Sequence, residues 1–192
     1  PALTTFVECD GSDNLGEFNE WLNNHGFATV YDPYGNATWT NDYDGELDYY
    51  CGSTGDRKVT FTATNACGQS VSTTATFTVQ DNGEPFFIFV PSDNTLECDQ
   101  PEPTDAPLAG DACSGQADIN LRKYYRLDGN CPYNYQIVKE WRATDECGLY
   151  ADESQTITFE DTTPPEFDFV PAHVTINCDD PVPTEEATVF DN

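Results

Sequence analysis

TATNACGQS at residues 62–70 and RATDECGLY at residues 142–150 are two copies of one pattern, in which Ala-Thr precedes Asn or Asp, one further residue and Cys-Gly. A second pair of stretches keeps the same offset of 80 residues: PFFIFVPSDNTLECD begins at Pro85 and PEFDFVPAHVTINCD begins at Pro165. A fixed period of this length is the sequence signature of a tandem array. We therefore predict a first repeat at residues 1–81, a second at 82–161 and the start of a third, truncated repeat at 162–192.

The charge balance excludes two classes of partner. The chain carries 35 acidic and 7 basic residues, for a formal net charge of −28. Nucleic acid and anionic membrane surfaces bind clustered Lys and Arg, so neither is expected as a partner. No run of about 18 apolar residues is present, so direct membrane insertion is not expected. Aromatic residues make up 13% of the chain, which favours packed cores over a disordered acidic segment.

Apolar and hydroxyl residues alternate along several segments. Val59, Phe61 and Ala63 alternate with Thr60 and Thr62, for example, and the same period of two recurs in the second repeat. Alternation with period two, in segments bounded by Gly, Asp and Asn, predicts half-buried β-strands. We therefore predict an all-β fold in which each repeat of about 80 residues is a small β-sandwich and the repeats follow one another end to end.

One stretch of the first repeat, DNLGEFNEWLNNHG, breaks the alternation. It places Leu15, Phe18, Trp21 and Leu22 on one face of a helix. We predict a short helix, inserted between two strands of the first repeat at about residues 14–25. Two roles remain open for it: it closes one end of the sandwich, or it serves as a lid over a binding site.

The eight cysteines indicate disulfides. No CxxC pair is present and His25 and His173 are isolated, so a zinc site, which needs closely spaced ligands, is not expected. Disulfides form in oxidising compartments outside the cytoplasm. The cysteine content therefore predicts an extracytoplasmic protein.

Strand direction predicts how the cysteines of the second repeat pair. If successive strands alternate in direction, Cys98 and Cys131 lie at one end of the repeat, and Cys113 and Cys147 lie at the other. Cys131 and Cys147 would then be about 30 Å apart, whereas a disulfide needs Cα atoms within about 7 Å. This reasoning favours the pairs Cys98–Cys131, Cys113–Cys147 and, by analogy in the first repeat, Cys9–Cys51. A bend in one strand would permit the alternative neighbour pairs Cys51–Cys67, Cys98–Cys113 and Cys131–Cys147.

Two cysteines are expected to lack a partner. In the first repeat the position of Cys113 falls at Pro33 or Tyr34, so Cys67 has no counterpart to bond. The expected partner of Cys178 lies past Asn192, and the residue after Asn192 would itself correspond to Cys113. We therefore expect the chain to be a piece of a longer protein.

Acidic side chains are predicted to converge where one repeat meets the next. Asp111 and Asp145 are close in sequence to Cys113 and Cys147, and Asp81 in the connector VQDNGEP reaches the same end. Three carboxylates repel one another unless a cation joins them, and Ca²⁺ takes six to eight oxygen ligands. We predict a calcium site formed by Asp81, Asp111 and Asp145, with a copy that includes Asp161 and Asp191.

Enzymatic activity is not expected. No Ser-His-Asp set can be built from the two histidines, no phosphate-binding glycine loop is present, and abundant acids produce carboxylate pairs by chance. A framework repeated intact is typical of spacer or binding modules. The alternative function is an array of carbohydrate-binding modules, in which the aromatic side chains that stack on sugar rings would be Tyr49, Tyr50, Tyr124 and Tyr150.

The phrases FVPAHVTINCDDP, CPYNYQIVKEWRATDECG and TFEDTTPPEF resemble the HYR-like, immunoglobulin-like repeats of large bacterial cell-surface adhesins, and most closely the SprB-type gliding-motility adhesins. NLGEFNEWLNNHGFATVYDPYGNATWTND resembles a longer repeat variant of the same proteins, so the likeness covers essentially all 192 residues. One departure is the missing cysteine near Tyr34, where repeats of this family commonly read Asp-Asn-Cys.

The resemblance implies an immunoglobulin-like sandwich and a role as a structural and adhesive segment of a long filament on the cell surface. It implies export by type IX secretion, a function in surface adhesion or gliding motility, and contacts with extracellular surfaces, glycans and neighbouring repeats. The sequence DTT at residues 161–163 also resembles the O-glycosylation motif of such bacteria, which makes Thr162 a candidate acceptor.

Overall fold

The structure is a computed structural model that describes residues 1–35, 37–45 and 48–191. It confirms a chain built mostly of β-strands with one short α-helix. In chain order the described elements are β1 Thr5–Glu8, α1 Leu15–Asn23, β2 Thr38–Asn41, β3 Asp48–Tyr49, β4 Gly55–Thr64, β5 Ser70–Gln80, β6 Phe86–Phe89, β7 Asn94–Glu97, β8 Leu108–Gly110, β9 Asp118–Asp128, β10 Tyr135–Thr144, β11 Tyr150–Glu160, β12 Glu166–Phe169 and β13 Thr188–Phe190. A short 3-10 helix, His25–Phe27, follows α1.

The hairpin of β4 and β5 is the centre of the first sheet, whose strand order is β1-β5-β4-β2, with β3 also paired to β4. The two hairpin strands are antiparallel, and β1 runs parallel to β5. Successive residues of a strand face opposite sides of the sheet, and accordingly Val59 and Phe61 are fully buried while Thr60 and Thr62 are half-buried. The period-two alternation predicted for this segment is confirmed.

Helix α1 packs on the inner face of this sheet. Phe18 and Trp21 are each only 1% exposed. The Trp21 ring meets Phe61 edge-on at 5.2 Å between centroids, and the Phe18 ring meets Phe77 edge-on at 5.4 Å. The predicted helix is confirmed, and it packs against one face of the first sheet as part of the core of unit 1. Whether it also closes one end of a sandwich or serves as a lid stays open.

The ends of α1 are set by backbone geometry. Asn14 precedes the helix in a left-handed conformation, and its side chain makes no capping bond to the helix. Its amide donates instead to the Glu8 carbonyl oxygen at 2.8 Å, which ties the helix start to β1. Gly26 follows the helix with φ of 61°, and a Cβ there would lie 2.9 Å from the Phe61 ring and 3.0 Å from Ala2. Only glycine fits this position without displacing the core.

The strands of the second repeat form a sheet of order β7-β11-β10-β9, and β6 pairs separately with β8. Strand β7 runs parallel to β11, from Asn94 opposite Ile157 to Glu97 opposite Glu160. Strands β6 and β7 belong to different sheets, and Pro91 lies between them. Because proline lacks an N–H donor, it ends the first pairing and allows the chain to change sheets. Strands β12 and β13 form a further antiparallel pair.

The chain divides into two compact units. Unit 1 comprises Pro1–Val90, Ala106–Arg122 and Glu140–Glu153, and unit 2 comprises Pro91–Asp105, Lys123–Lys139 and Ser154–Asn192. The core of unit 1 includes α1 and the β4–β5 hairpin. The core of unit 2 contains Ile137, Ile157 and Phe159, with Leu96 and Tyr135 packed against it. These units do not coincide with the sequence repeats, so the repeat boundaries, their immunoglobulin-like sandwich form and their end-to-end order stay predictions.

The disulfide pairing differs from the one predicted. Cys9 is bonded to Cys113 and Cys51 is bonded to Cys147, with a Cα–Cα distance of 5.1 Å in each pair. Each bond joins the first sequence repeat to the second, and all four cysteines lie in unit 1. The predicted pairs Cys9–Cys51 and Cys113–Cys147 are therefore wrong.

The remaining predicted pairs are wrong as well. Cys131 carries an exposed thiol, which excludes Cys98–Cys131. The neighbour pairs Cys51–Cys67, Cys98–Cys113 and Cys131–Cys147 each require a cysteine that is bonded elsewhere. Cys67 and Cys178 are exposed thiols without a disulfide among the described residues.

Strand direction within one repeat does not determine these pairs, because the partners lie in different repeats. Cys9 directly follows β1, and its N–H donates to the Gln80 carbonyl oxygen at 2.7 Å, at the end of β5. The loops that carry Cys113 and Cys147 contact this same end of unit 1. The nearest sulfur for each of those cysteines therefore belongs to the preceding repeat.

Candidate metal centre

Three aspartates from separate parts of the sequence meet in unit 1. Asp81, Asp111 and Asp145 each offer one carboxylate oxygen, and these three oxygens all lie within 4.8 Å of one another. Asp111 is 5% exposed and Asp145 is 7% exposed, while Asp81 is half-buried. The structure thus brings together the three carboxylates that sequence analysis selected for a calcium site.

Asp81 is positioned by the end of β5. The strand ends at Gln80, and the connector turns so that the Gly83 N–H donates to Asp81 Oδ1 at 3.1 Å. The other carboxylate oxygen, Oδ2, is buried and has no hydrogen-bond partner among the described residues. One oxygen therefore shapes the turn, and the second is directed into the protein without a donor.

Asp111 directly follows β8 and holds the loop behind it. Its Oδ1 accepts hydrogen bonds from the N–H of Cys113 at 2.8 Å, the N–H of Ser114 at 2.7 Å and the Ser114 hydroxyl at 3.1 Å. Burial opposes ionisation of this carboxyl, but the backbone donors of Ser114 and Cys113 together outweigh it and lower the pKa of Asp111. Asp111 is therefore held as a carboxylate.

Asp145 directly follows β10 and has the same local arrangement. Its Oδ1 accepts the N–H of Cys147 at 2.8 Å and the N–H of Leu149 at 2.9 Å. Its Oδ2 is buried and lacks a hydrogen-bond partner among the described residues. Asp81 and Asp145 therefore each present one oxygen that the surrounding protein leaves unsatisfied.

The local electrostatics disfavour three free carboxylates. Burial raises the pKa of Asp81, the charges of Asp111, Asp145 and Glu8 act in the same direction, and the hydrogen bond from Gly83 only partly opposes them. Ion pairs in the described chain, such as Arg126–Asp128, Lys139–Glu102 and Arg142–Asp152, do not involve these three aspartates. A buried charge without a partner is costly, so the arrangement favours either protonation of Asp81, whose pKa is raised, or binding of a cation.

The dimensions and chemistry of the cluster fit a calcium ion. Two ligands bound to one Ca²⁺ at about 2.4 Å are at most about 4.8 Å apart, and the three oxygens lie within that limit. Calcium prefers carboxylate and carbonyl oxygens and takes six to eight of them. Asp81, Asp111 and Asp145 would hold the ion, and backbone carbonyl groups and water would complete its ligand set.

The predicted copy of this site is only partly built in the described chain. Asp161 directly follows β11 and repeats the turn of Asp81, because its Oδ1 accepts the Thr163 N–H at 3.2 Å. Asp191 directly follows β13 and is exposed. Neither belongs to a group of three ligating side chains among the described residues. A cation shared by these two aspartates stays a prediction.

A natural counterpart of the Asp145 loop occurs in the first repeat. Asn65 Oδ1 accepts the N–H of Cys67 and the N–H of Gln69, both at 3.0 Å, as Asp145 does with Cys147 and Leu149. The loop shape is therefore compatible with either an amide or a carboxylate. The second oxygen of Asp145 is not needed to form the loop, which leaves it available for a ligand.

Three of the four tyrosines proposed to stack on sugars already have partners. The Tyr50 hydroxyl donates to Asp56 at 2.5 Å, and the Tyr124 hydroxyl donates to Glu102 at 2.7 Å. The Arg142 guanidinium lies 3.5 Å from the centroid of the Tyr150 ring. Tyr49, in β3, is 62% exposed. Binding of glycans by these side chains stays a prediction.

The candidate glycosylation site at Thr162 is exposed, and its hydroxyl donates to the Glu97 carboxylate. The sequence placed Asp111 and Asp145 beside Cys113 and Cys147, but it did not show that these cysteines bond to Cys9 and Cys51. Asp111 and Cys113, and likewise Asp145 and Cys147, are separated by a single residue. In both pairs the cysteine N–H donates to the aspartate.

No protein-family model matches the chain, and no curated protein matches it. Among solved structures, it is similar to the protocadherin gammaB7 EC3-6 cis-dimer, with a TM-score of 0.34 and 15% identity over 72% of this chain and 45% of that chain. Drosophila N-cadherin EC1-4 gives a TM-score of 0.35 and 13% identity over 66% of this chain and 41% of that chain. Human protocadherin-24 EC1-2 gives a TM-score of 0.31 and 15% identity over 83% of this chain and 96% of that chain.

The chain therefore spans less than half the length of the first two of these proteins. At such low TM-scores the similarities support no conclusion about function. None of the described helices is long and apolar enough to cross a membrane.

Proposed function

We propose that this chain is a structural and adhesive segment of an extracellular filament, in which successive β-repeats are fastened to one another by disulfides and by a calcium ion. The proposal is carried by one observation: unit 1 contains two disulfides and a candidate calcium site, and both kinds of cross-link join the same two segments. Cys9–Cys113 and Cys51–Cys147 both join the first repeat to the second, and the cluster of Asp81, Asp111 and Asp145 also combines ligands from both repeats.

The disulfides and the calcium ion would resist separation of the joined segments under tension for different physical reasons. A disulfide prevents the joined segments from separating when the chain is pulled. A calcium ion neutralises three carboxylates that would otherwise repel one another, and it fixes the connector at Asp81 against the loops at Asp111 and Asp145. In a chain with a net charge of −28, self-repulsion opposes compact states. A site that binds a divalent cation offsets part of that cost.

Several further features of the proposal rest on the sequence. The disulfides support an oxidising location outside the cytoplasm, and the likeness to HYR-like adhesin repeats supports a cell-surface filament exported by type IX secretion and used in adhesion or gliding. In this proposal the chain has no catalytic role. Its partners are neighbouring repeats of the same protein and the extracellular surface that the filament contacts.

Small-angle X-ray scattering of the oxidised chain tests the extended arrangement. A compact domain of this length would have a radius of gyration of about 16 Å, and end-to-end repeats predict a clearly larger value in calcium. A radius near the compact value would contradict the filament proposal.

Thermal unfolding in calcium and in chelator tests the cation. Binding to the folded state alone stabilises it by about 2.7 kcal/mol when the ion is at one hundred times its Kd, which for a chain of this size raises Tm by roughly 5–10 °C. Magnesium at the same concentration is expected to give a smaller increase, because it needs a stricter octahedral geometry. Equal melting temperatures in calcium and chelator would contradict the proposed site.

A further inference from the structure

We propose that the calcium site and the two disulfides are coupled, so that bound calcium slows reduction of Cys9–Cys113 and Cys51–Cys147, and loss of either disulfide weakens calcium binding. The inference rests on the calcium site proposed above and adds a reciprocal dependence between ion and redox state. By thermodynamic linkage, whatever factor the disulfides contribute to calcium affinity, calcium contributes to disulfide stability.

The coupling begins at the backbone between each ligand and its cysteine. Cys113 donates its N–H to Asp111 Oδ1 at 2.8 Å, and Cys147 donates its N–H to Asp145 Oδ1 at 2.8 Å. In both loops the disulfide cysteine therefore orients the carboxylate that would bind the ion. A movement of either cysteine away from its sulfur partner would rotate or withdraw one of the three ligands.

The other halves of the two disulfides anchor these loops beside the third ligand. The N–H of Cys9 donates to the carbonyl oxygen of Gln80, the residue that precedes Asp81. Cys51 lies in the turn before β4, where its carbonyl oxygen accepts the Thr54 N–H at 3.0 Å. The first residue of β4, Gly55, pairs with Val79 of β5. Each disulfide therefore attaches a ligand loop to a segment that is hydrogen-bonded to, or paired with, the end of β5, next to Asp81.

The close approach of these segments leaves little room for alternative positions. A Cβ placed on Gly11 would lie 2.6 Å from the Ala112 carbonyl oxygen, and one on Gly52 would lie 3.8 Å from the Cys113 sulfur and 3.6 Å from the Glu146 carboxylate. Without the covalent bonds, the three carboxylates would be free to relieve their repulsion by separating. The disulfides therefore keep the three carboxylates close together although, without the ion, these carboxylates repel one another.

Reduction by a dithiol defines the chemical step that calcium would slow. A thiolate of the dithiol attacks one protein sulfur, the protein S–S bond breaks, and the other cysteine leaves as a thiolate that takes up a proton. The second sulfur of the dithiol then displaces the first protein sulfur. The protein gains two electrons and two protons per disulfide, and the dithiol becomes a cyclic disulfide.

The test is the rate of reduction of the oxidised full chain by dithiothreitol, in calcium and in chelator, followed by alkylation and mass mapping of each cysteine pair. We expect both disulfides to be reduced more slowly in calcium, and the ratio of reduced to oxidised protein at equilibrium with a dithiothreitol redox couple to fall about tenfold. Half-buried Cys51–Cys147 should be reduced before buried Cys9–Cys113. Isothermal titration of the Cys51→Ser/Cys147→Ser variant with calcium should give a Kd weakened about tenfold.

Two variants separate this coupling from a general effect of calcium. Asp145→Asn should remove the dependence of the reduction rate on calcium. Asp105→Asn, which changes an exposed aspartate outside the cluster, should retain it. If the oxidised chain binds calcium through Asp145 but is reduced at the same rate with and without the ion, the coupling is overturned while the calcium site stands. If the oxidised chain binds no calcium, the proposed site and the coupling both fail.

Discussion

Cys51, in the turn before β4, is joined to Cys147, in the loop after β10, by a disulfide that spans 96 residues of sequence. Cys9–Cys113 spans 104 residues. In the chain-entropy account, closing a loop of about 100 residues stabilises the folded state by about 4.7 kcal/mol. Both bonds therefore join segments that are distant in sequence, residues 9 and 51 to residues 113 and 147, within unit 1.

This connectivity predicts which thiols react. In the folded chain under non-reducing conditions, an alkylating reagent should label Cys67, Cys131 and Cys178, which are exposed. Cys9, Cys51, Cys113 and Cys147 should become labelled only after reduction. Peptide mapping that finds a Cys9–Cys51 or Cys113–Cys147 bond would contradict the structure.

The packing of α1 predicts a large loss of stability on truncation of Trp21. Its ring is 1% exposed, and its indole N–H donates to the Leu3 carbonyl oxygen at 2.9 Å. Trp21→Ala should therefore lower the free energy of unfolding by about 3–5 kcal/mol in a denaturant titration.

Leu15→Ala is the matched control on the same helix, because Leu15 is 52% exposed. Its effect should stay within about 0.5 kcal/mol. Similar small effects of both substitutions would mean that α1 is not part of the core, which would favour the interpretation of the helix as a lid.

The raised pKa of Asp81 predicts a dependence of stability on pH in cation-free buffer. An acid whose pKa is higher in the folded state adds stability below its unfolded pKa, of about 3.9, and that contribution is lost as the pH rises through the folded pKa. Burial is the main cause of the shift. Asp111 acts in the opposite direction, because its pKa is lowered and its contribution is lost on acidification.

Asp81→Asn isolates the first of these effects. Without calcium at neutral pH the variant should melt about 2–4 °C above the parent, because the amide removes one unfavourable buried charge. In saturating calcium the order should reverse, since the variant lacks a ligand. A variant that is no more stable than the parent in cation-free buffer would contradict the interpretation of Asp81 as an unfavourable charge.

Much of the local architecture follows from the sequence. The alternation of Val59, Phe61 and Ala63 with threonines fixes which face of β4 is buried, and the residues around Phe18 and Trp21 specify a helix. The convergence of Asp81, Asp111 and Asp145 could also be predicted, because strand directions place the ends of β5, β8 and β10 together. These inferences depend on local periodicity and on the short reach of each connection.

The disulfide partners and the role of α1 could not be predicted in the same way. Strand direction indicates that Cys113 and Cys147 lie at the same end of their repeat. It does not show that each of them bonds to a cysteine of the preceding repeat, Cys9 for Cys113 and Cys51 for Cys147. Similarly, the apolar face of α1 indicates that this face is buried, but it does not show which strands it packs against. Both questions depend on contacts between segments that are distant in sequence, which no period within one repeat determines.

Isothermal titration of the oxidised chain with calcium measures the central claim most directly, with Asp145→Asn and Asn65→Asp as paired variants. We expect saturable calcium binding to the parent chain, a Kd at least about tenfold weaker in Asp145→Asn, which reproduces the amide found naturally at Asn65, and an unchanged Kd at the cluster in Asn65→Asp. Binding of equal affinity in the parent and in Asp145→Asn, or no heat of binding in the parent at millimolar calcium, would contradict the account.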